Sequence, residues 1–197
     1  MEKDELIVAD IINGAKKLMQ QYGLKKTTME DIAKAAGKGK STLYYYFKDK
    51  EEIFDSVINL EIDEFFHTVN AAVNKHTDAV SMLKAYIVTK VKTIKEKTNL
   101  YSFAIENDLQ GRINKEFTNL RNRYDTEEKK LIGFILSKGI EAKMFKSEII
   151  QEVDTLSELL VSCIRGIEYD MITQKRNKTL TDKADLLINI IIEGIGK

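Results

Sequence analysis

The residues best suited to chemistry in this chain are lysines and tyrosines crowded into one short stretch. Positions 16 to 50 carry nine lysines (16, 17, 25, 26, 34, 38, 40, 48 and 50) against three acids, Glu30, Asp31 and Asp49, a balance of +6 over 35 residues. Four of the chain's 16 aromatic residues stand consecutively at its end, Tyr44 to Phe47. Ammonium groups beside phenolic hydroxyls suit phosphate oxygens, so the block has the composition of a polyanion-binding surface or, equally, of a solvated lysine-rich face. The whole chain has Lys+Arg 31 and Asp+Glu 31, so the remainder carries −6 and the basic character is local. No arginine precedes Arg112. Lysine lacks the planar fork that pairs with guanine, so such a surface would lean on phosphate neutralisation.

Other reactive groups are sparse. Glu64 and His67 form one Glu-x-x-His, but a di-metal site in a helical bundle needs a second copy and two more carboxylates, and His76 has no glutamate three before it. No phosphate loop, Gly-x-Gly-x-x-Gly, His-Glu-x-x-His or Ser-His-Asp arrangement is visible, so no enzyme activity, metal or cofactor is expected. Cys163, the single cysteine, excludes an internal disulfide and fits a reducing cytosol; between Leu159, Leu160 and Ile164 it reads as a small core group. No signal peptide and no stretch of about 18 apolar residues is found, which predicts a cytoplasmic protein with no membrane association.

The elements that must carry the basic block are helical. A chain of 197 residues without proline and with only 10 glycines lacks the breakers that many turns and strands require, so the expected fold class is all-α. Ile7, Val8, Ile11, Ile12, Ala15, Leu18, Met19 and Tyr22 trace one face of a helix over about 4–22, with Gly23 as its C-cap. Thr28 and Asp31 form a capping box for a short helix ending at Gly37. A second short helix, Ser41 to Phe47, follows the Gly37-Lys-Gly-Lys turn, and Asp49 with Glu52 opens a long one. Further helices are expected from Thr77-Asp78, over about 112–139 with an interruption at Gly139, from a capping box at Thr155 and Glu158, and over 184–195. The β-branched run of that last segment leaves a strand as its alternative. Leu156, Leu159, Leu160, Cys163, Ile164, Ile167 and Met171 trace one apolar stripe.

Two short helices joined by a glycine-containing turn inside a basic block have the plan of a helix-turn-helix. The segment from Thr28 to Glu51, with Ile32-Ala33, Ala36-Gly37, Thr42-Leu43-Tyr44, Tyr46-Phe47 and Lys50-Glu51, resembles the signature of the TetR family of bacterial transcriptional regulators. The resemblance covers about residues 5 to 55. It implies an N-terminal three-helix DNA-binding domain over 1–48 and a helical bundle over 49–197 holding a ligand pocket and a dimer interface. The implied function is a ligand-responsive regulator, typically a repressor released from a pseudo-palindromic double-stranded operator by a small apolar effector, acting as a homodimer. Lys40, Ser41 and Thr42 start the recognition helix, where side chains reach base edges. Leu43 and Phe47, four apart, are assigned to the core; Tyr44 and Tyr45 direct hydroxyls to phosphate, and Tyr46 is open between core and surface. Thr28, as cap alone or cap and phosphate contact, and Lys50 match family contact positions. At Lys38 and Gly39 the family has a small apolar residue and a serine-like cap. Lys38 is read as reaching out to phosphate, and Gly39 is a weaker cap.

For the effector, Tyr86, Tyr101, Phe103, Phe117, Tyr124, Phe134, Tyr169 and Met171 are candidate pocket residues by family resemblance, although residues at such spacing are individually more often plain core. The last two helices, near 155–175 and 181–195, are the candidate dimer interface. The competing reading is a helical ligand-binding or interaction protein that has lost DNA binding, with Lys38 and Gly39 marking a degraded reader.

Overall fold

A computed structural model describes residues 3–102, 115–174 and 180–196. Among them the chain is helical, and contacts divide it into two compact units. The first joins Met1–Asp63 to Lys97–Leu120 and the second joins Glu64–Glu96 to Arg121–Lys197. The division falls inside two helices, α4 (Lys50–Val73) and α6 (Lys115–Glu141).

In the first unit, α1 (Lys3–Tyr22) buries Ile11, Ala15 and Met19, four residues apart and therefore on one face. Gly14 on the same face permits a close backbone approach: a Cβ there would lie 3.0 Å from Ala36 N and 3.1 Å from Ala35 C, tighter than most Cβ contacts. A short 3₁₀ turn, Leu24–Lys26, leads to α2 (Met29–Ala35). The Thr28 hydroxyl accepts from the Asp31 amide at 3.2 Å while the Asp31 carboxylate accepts from the Thr28 amide at 3.0 Å, the expected capping box. α2 ends in a Schellman motif, with the Gly37 amide donating to Lys34 O at 3.1 Å and the Lys38 amide to Ala33 O at 2.9 Å; Gly37 adopts φ 64°, which disfavours any side chain. α3 (Lys40–Tyr46) follows from Gly39, whose backbone is extended and which supplies no capping side chain. Asp49 accepts from the Glu52 amide at 2.9 Å and opens α4. Leu43, Phe47, Ile53, Phe54 and Val57 complete the small core, with the Phe117 ring nearly parallel to that of Phe54 at 6.4 Å.

In the second unit, Phe65, Phe66, Val69 and Val73 of α4 are buried, as are Met82, Leu83, Tyr86, Ile87 and Val91 of α5 (Ala79–Glu96). Each such side chain contributes about 1.5–3 kcal/mol to burial. Tyr124 on α6 packs its ring 5.5 Å from Phe65 and 5.3 Å from Phe66. A 3₁₀ turn (Ser147–Glu152) precedes α7 (Val153–Gln174), and α8 (Leu180–Ile195) packs on α5. The Lys146 amide donates to Ile195 O at 2.8 Å, closing the C-terminal end on the turn after α6.

Three sequence expectations are corrected. Gly139 does not interrupt its helix: α6 continues to Glu141, and the glycine admits the Phe145 ring, which would lie 2.1 Å from an added Cβ. Thr155 and Glu158 are not a capping box, because the 3₁₀ turn enters α7 at Val153 in helical geometry; Glu158 instead meets Lys129, at 3.4 Å. The last segment is the expected helix, and the strand alternative falls away. Cys163 is exposed. The apolar stripe of α7 is wider than its buried face: Leu160, Ile164 and Met171 are buried, whereas Leu159 and Cys163, four apart, face away from them.

Candidate nucleic-acid interface

α3 has one buried edge and one open arc. Leu43 and Phe47 are buried and hold it down, while Ser41, Tyr44 and Tyr45 turn outward, with Tyr45 78% exposed. The reason is local: seven residues make two turns, and Leu43 and Phe47 lie on the side opposite Ser41 and Tyr45. Lys40 is exposed in the first turn and Thr42 is half-buried. Lys26, Lys34 and Lys48 are also exposed in this unit. Hydroxyls and ammoniums so displayed can donate to phosphate oxygens, and the first turn of α3 can reach base edges.

Four flanking residues have partners within the unit. Lys38 Nζ lies 2.8 Å from Asp10 Oδ2 on α1. Lys50 Nζ donates to Leu24 O at 3.1 Å and to Thr27 O at 3.2 Å, tying the start of α4 to the turn before α2 and leaving one N–H for another acceptor. The Tyr46 hydroxyl donates to Asp4 Oδ1 at 2.6 Å, and that hydrogen bond pushes its phenol up to about 12. Tyr46 therefore belongs to the joint between α1 and α3. The Thr28 hydroxyl is engaged in its cap, whose hydrogen bonds hold the Asp31 carboxyl below its ordinary value.

The pocket candidates do not fall in one unit. Tyr101 and Phe117 lie in the first, and Tyr86, Tyr124, Phe134, Tyr169 and Met171 in the second; Phe103 lies outside the described residues. Phe134 and Tyr169 are exposed, Met171 is buried and Tyr124 half-buried. Tyr86 is wholly buried and its hydroxyl donates to Glu128.

That hydrogen bond belongs to a charged cluster that the apolar pattern hides. Lys90, 1% exposed, pairs with Glu128 and lies 2.7 Å from Glu168 Oε1, with its Nζ 5.2 Å from the Tyr124 ring centre. Burial alone would draw Lys90 down, but the two carboxylates outweigh it and hold its ammonium above the ordinary lysine value. Burial first, then Glu128, pushes the Tyr86 phenol well up. In the first unit Glu61, likewise 1% exposed, receives Lys16 at 2.9 Å, Gln20 at 3.1 Å and Lys97. A readable signal existed for each: Lys90 interrupts the stripe of Leu83, Tyr86, Ile87 and Val91, Glu61 stands midway between Val57 and Phe65, and Glu128 midway between Tyr124 and Ile132. A charge at a core position of a helix needs a buried partner.

Among the described residues no group of three or more His, Cys, Asp or Glu is placed to hold a metal ion, and no helix is long and apolar enough to cross a membrane.

Comparison with known proteins comes to the same region. The family model described as bacterial regulatory proteins, tetR family, matches residues 11–57. The transcriptional repressor KstR2 of Rhodococcus jostii is 27% identical over 144 residues, 73% of this chain and 70% of that protein. A transcriptional regulator from Cytophaga hutchinsonii superimposes with TM-score 0.82 at 27% identity, covering 95% of this chain and 97% of its own. FadR from Bacillus subtilis, in complex with stearoyl-CoA, shares the fold with TM-score 0.74 at 22% identity over 95% of this chain and 98% of its own.

Proposed function

We propose, on the premise that the chain is a member of the tetR family of bacterial regulatory proteins through the domain at residues 11–57, that it is a homodimeric transcriptional repressor released from a pseudo-palindromic DNA operator by a small apolar effector. The observation that carries this reading is the outward arc of α3, where Ser41, Tyr44 and Tyr45 are displayed beside Lys40 while Leu43 and Phe47 anchor the helix. Residues 1–48 serve as the DNA-binding domain and 49–197 as the effector and dimerisation domain. Thr28, Lys40, Ser41, Thr42, Tyr44 and Tyr45 contact DNA directly. Lys38 and Lys50 contribute phosphate contacts through the donors left after their internal partners.

Repression is supported by the name of the R. jostii relative, and a ligand with a long apolar part by the stearoyl-CoA held in B. subtilis FadR. In this chain Tyr86, Tyr124 and Met171 are the pocket candidates that the second unit draws inward. The effector favours one conformation over another by differential affinity. α4, continuous from Lys50 to Val73, is the route by which the change reaches α3. The exposed edge of α7 and α8, with Leu159, Leu186 and Ile190, meets a second copy, since two copies double the base pairs read. The protein works in the cytoplasm, where the DNA is.

The test is selection of bound fragments from a random DNA pool, followed by gel-shift titration. Lys40→Ala and Tyr44→Ala are each expected to weaken binding to the selected duplex by about 5- to 150-fold, the range for a single direct contact. Full affinity in both variants would overturn the site. A wild-type chain not retained on random duplex even at low salt would be a ligand-binding or interaction protein instead.

A further inference from the structure

The buried Glu61 carboxylate gathers donors from two separate stretches of the first unit. Lys16 Nζ lies 2.9 Å away and Gln20 Nε2 donates at 3.1 Å, both from the second half of α1. Lys97 Nζ and the Tyr101 hydroxyl, the latter at 3.4 Å, come from the chain that follows α5. Beside them the Asn99 side-chain amide donates to Gln20 O and Gln21 O, both at 3.1 Å, closing the last turn of α1. Residues 4–14 of α1 grip the DNA-facing elements at three points. Asp4 accepts from Tyr46 at the end of α3, Asp10 pairs with Lys38 in the turn, and Gly14 lies against the Ala35–Ala36 backbone. α1 is therefore a bar held at one end by Glu61 and Asn99 and holding α2 and α3 at the other.

We infer that Glu61 is a positioning residue for DNA reading: it sets where α1 sits against α4 and residues 97–101, and through α1 the angle at which α3 is presented. The inference rests on the DNA-binding reading above and adds to it a coupling point remote from the interface. Glu61 touches no DNA-facing residue itself. Its removal leaves the lysines displayed while loosening the frame that aims them. Base-edge contacts depend on that aim, whereas phosphate contacts tolerate small rotations. A carboxylate with donors from two chain segments also answers to either one. A displacement at Lys97 to Tyr101 changes the grip on Lys16 and Gln20, so this joint is where the state of residues 97–101 is passed to the reader.

The experiment uses the full-length chain and two probes, a duplex selected by the wild-type protein and a random-sequence duplex of equal length. Glu61→Gln keeps an acceptor for Gln20 and Tyr101 but removes the charge that Lys16 and Lys97 face. Lys97→Met removes one donor and leaves the carboxylate. Both variants are expected to lose at least about tenfold in affinity for the selected duplex and less than about twofold for the random one, with faster amide exchange at residues 19–22, and Lys97→Arg is expected to restore the affinity. Selected-duplex affinity unchanged in both variants would overturn the inference. So would a parallel loss on both duplexes, which marks a purely structural role. A wild-type chain that selects no duplex would overturn the DNA-binding reading itself, an outcome distinct from these two.

Discussion

Lys38 Nζ sits 2.8 Å from Asp10 Oδ2, so the one lysine inside the helix-turn-helix turn is pinned by a carboxylate of α1. Asp10 is about half exposed, and exposed pairs are worth about 0.2–1 kcal/mol, so a phosphate competes with it on nearly equal terms. Asp10→Asn is expected to tighten duplex binding by about two- to fivefold and to steepen its salt dependence by about one phosphate. Fluorescence anisotropy at stepped salt reads both quantities. An unchanged slope would mean that Lys38 stays turned toward α1 in the complex.

Lys90 is the second expected point of sensitivity. Replacing it with Met leaves Glu128 and Glu168 buried without their cation, a loss of about 3–5 kcal/mol. The double variant with Glu128→Leu removes the more deeply buried of the two carboxylates, leaving Glu168, and is expected to recover part of that stability. Urea unfolding of the single and double variants measures the coupling, and additive losses would show that Lys90 and Glu128 are not an energetic pair.

Gly139→Ala tests whether a mid-helix glycine is kept for helix geometry or for a neighbour. Propensity alone would make alanine stabilising by about 1 kcal/mol. The added Cβ would sit 2.1 Å from the Phe145 ring, so the expected result is the opposite sign, a destabilisation of about 1–3 kcal/mol. A raised Tm would show that the Phe145 ring yields without cost.

Acid sensitivity follows from two caps. Hydrogen bonds from Thr28 hold the Asp31 carboxyl below its ordinary value, and the Ser81 amide does the same for Asp78. A lowered folded value means that each contributes stability above the unfolded value of about 3.9 and loses it as pH falls through the folded one. The urea midpoint is expected to be insensitive to these groups near pH 6 and to fall below about pH 4. Asp31→Asn and Asp78→Asn should each flatten that fall. An acid slope identical to wild type in both variants would remove the caps from the explanation.

The apolar edge of α7 and α8 gives the last prediction. Leu159 on α7 is 56% exposed, and Leu186 and Ile190 on α8 are 58% and 57% exposed. If the proposed homodimer forms through these residues, Leu159→Glu or Ile190→Glu is expected to shift sedimentation from dimer to monomer without loss of helical circular dichroism. A dimer that survives both charges would place the contact elsewhere.

How much of this was legible beforehand depends on the range of the forces involved. α1, the capping box of Thr28 and Asp31, the opening of α4 at Asp49 and the split of Leu43 and Phe47 from Tyr44 and Tyr45 are set by residues within four positions of one another. The linear order of the chain is enough to read them. Glycine and lysine were ambiguous for the same reason. Gly139 looks like a breaker until Phe145 is placed against it, and Lys38 looks like a phosphate ligand until Asp10, 28 residues earlier, is brought to it. Cys163 is exposed although it lies in an apolar stripe, because a stripe wider than one buried edge does not say which side faces the core.

The sequence by itself determined an all-α chain with a basic, tyrosine-bearing helix-turn-helix near its start, because helix periodicity, caps and local charge are short-range properties. Only the tertiary structure decided which of those charges are committed inside. Glu61 gathers Lys16, Gln20, Lys97 and Tyr101, and Lys90 meets Glu128 and Glu168, across separations of 36 to 45 residues in five of these six contacts and 78 in the sixth. The worth of a buried charge lies wholly in the partner that folding brings to it, and that partner has no fixed place along the chain.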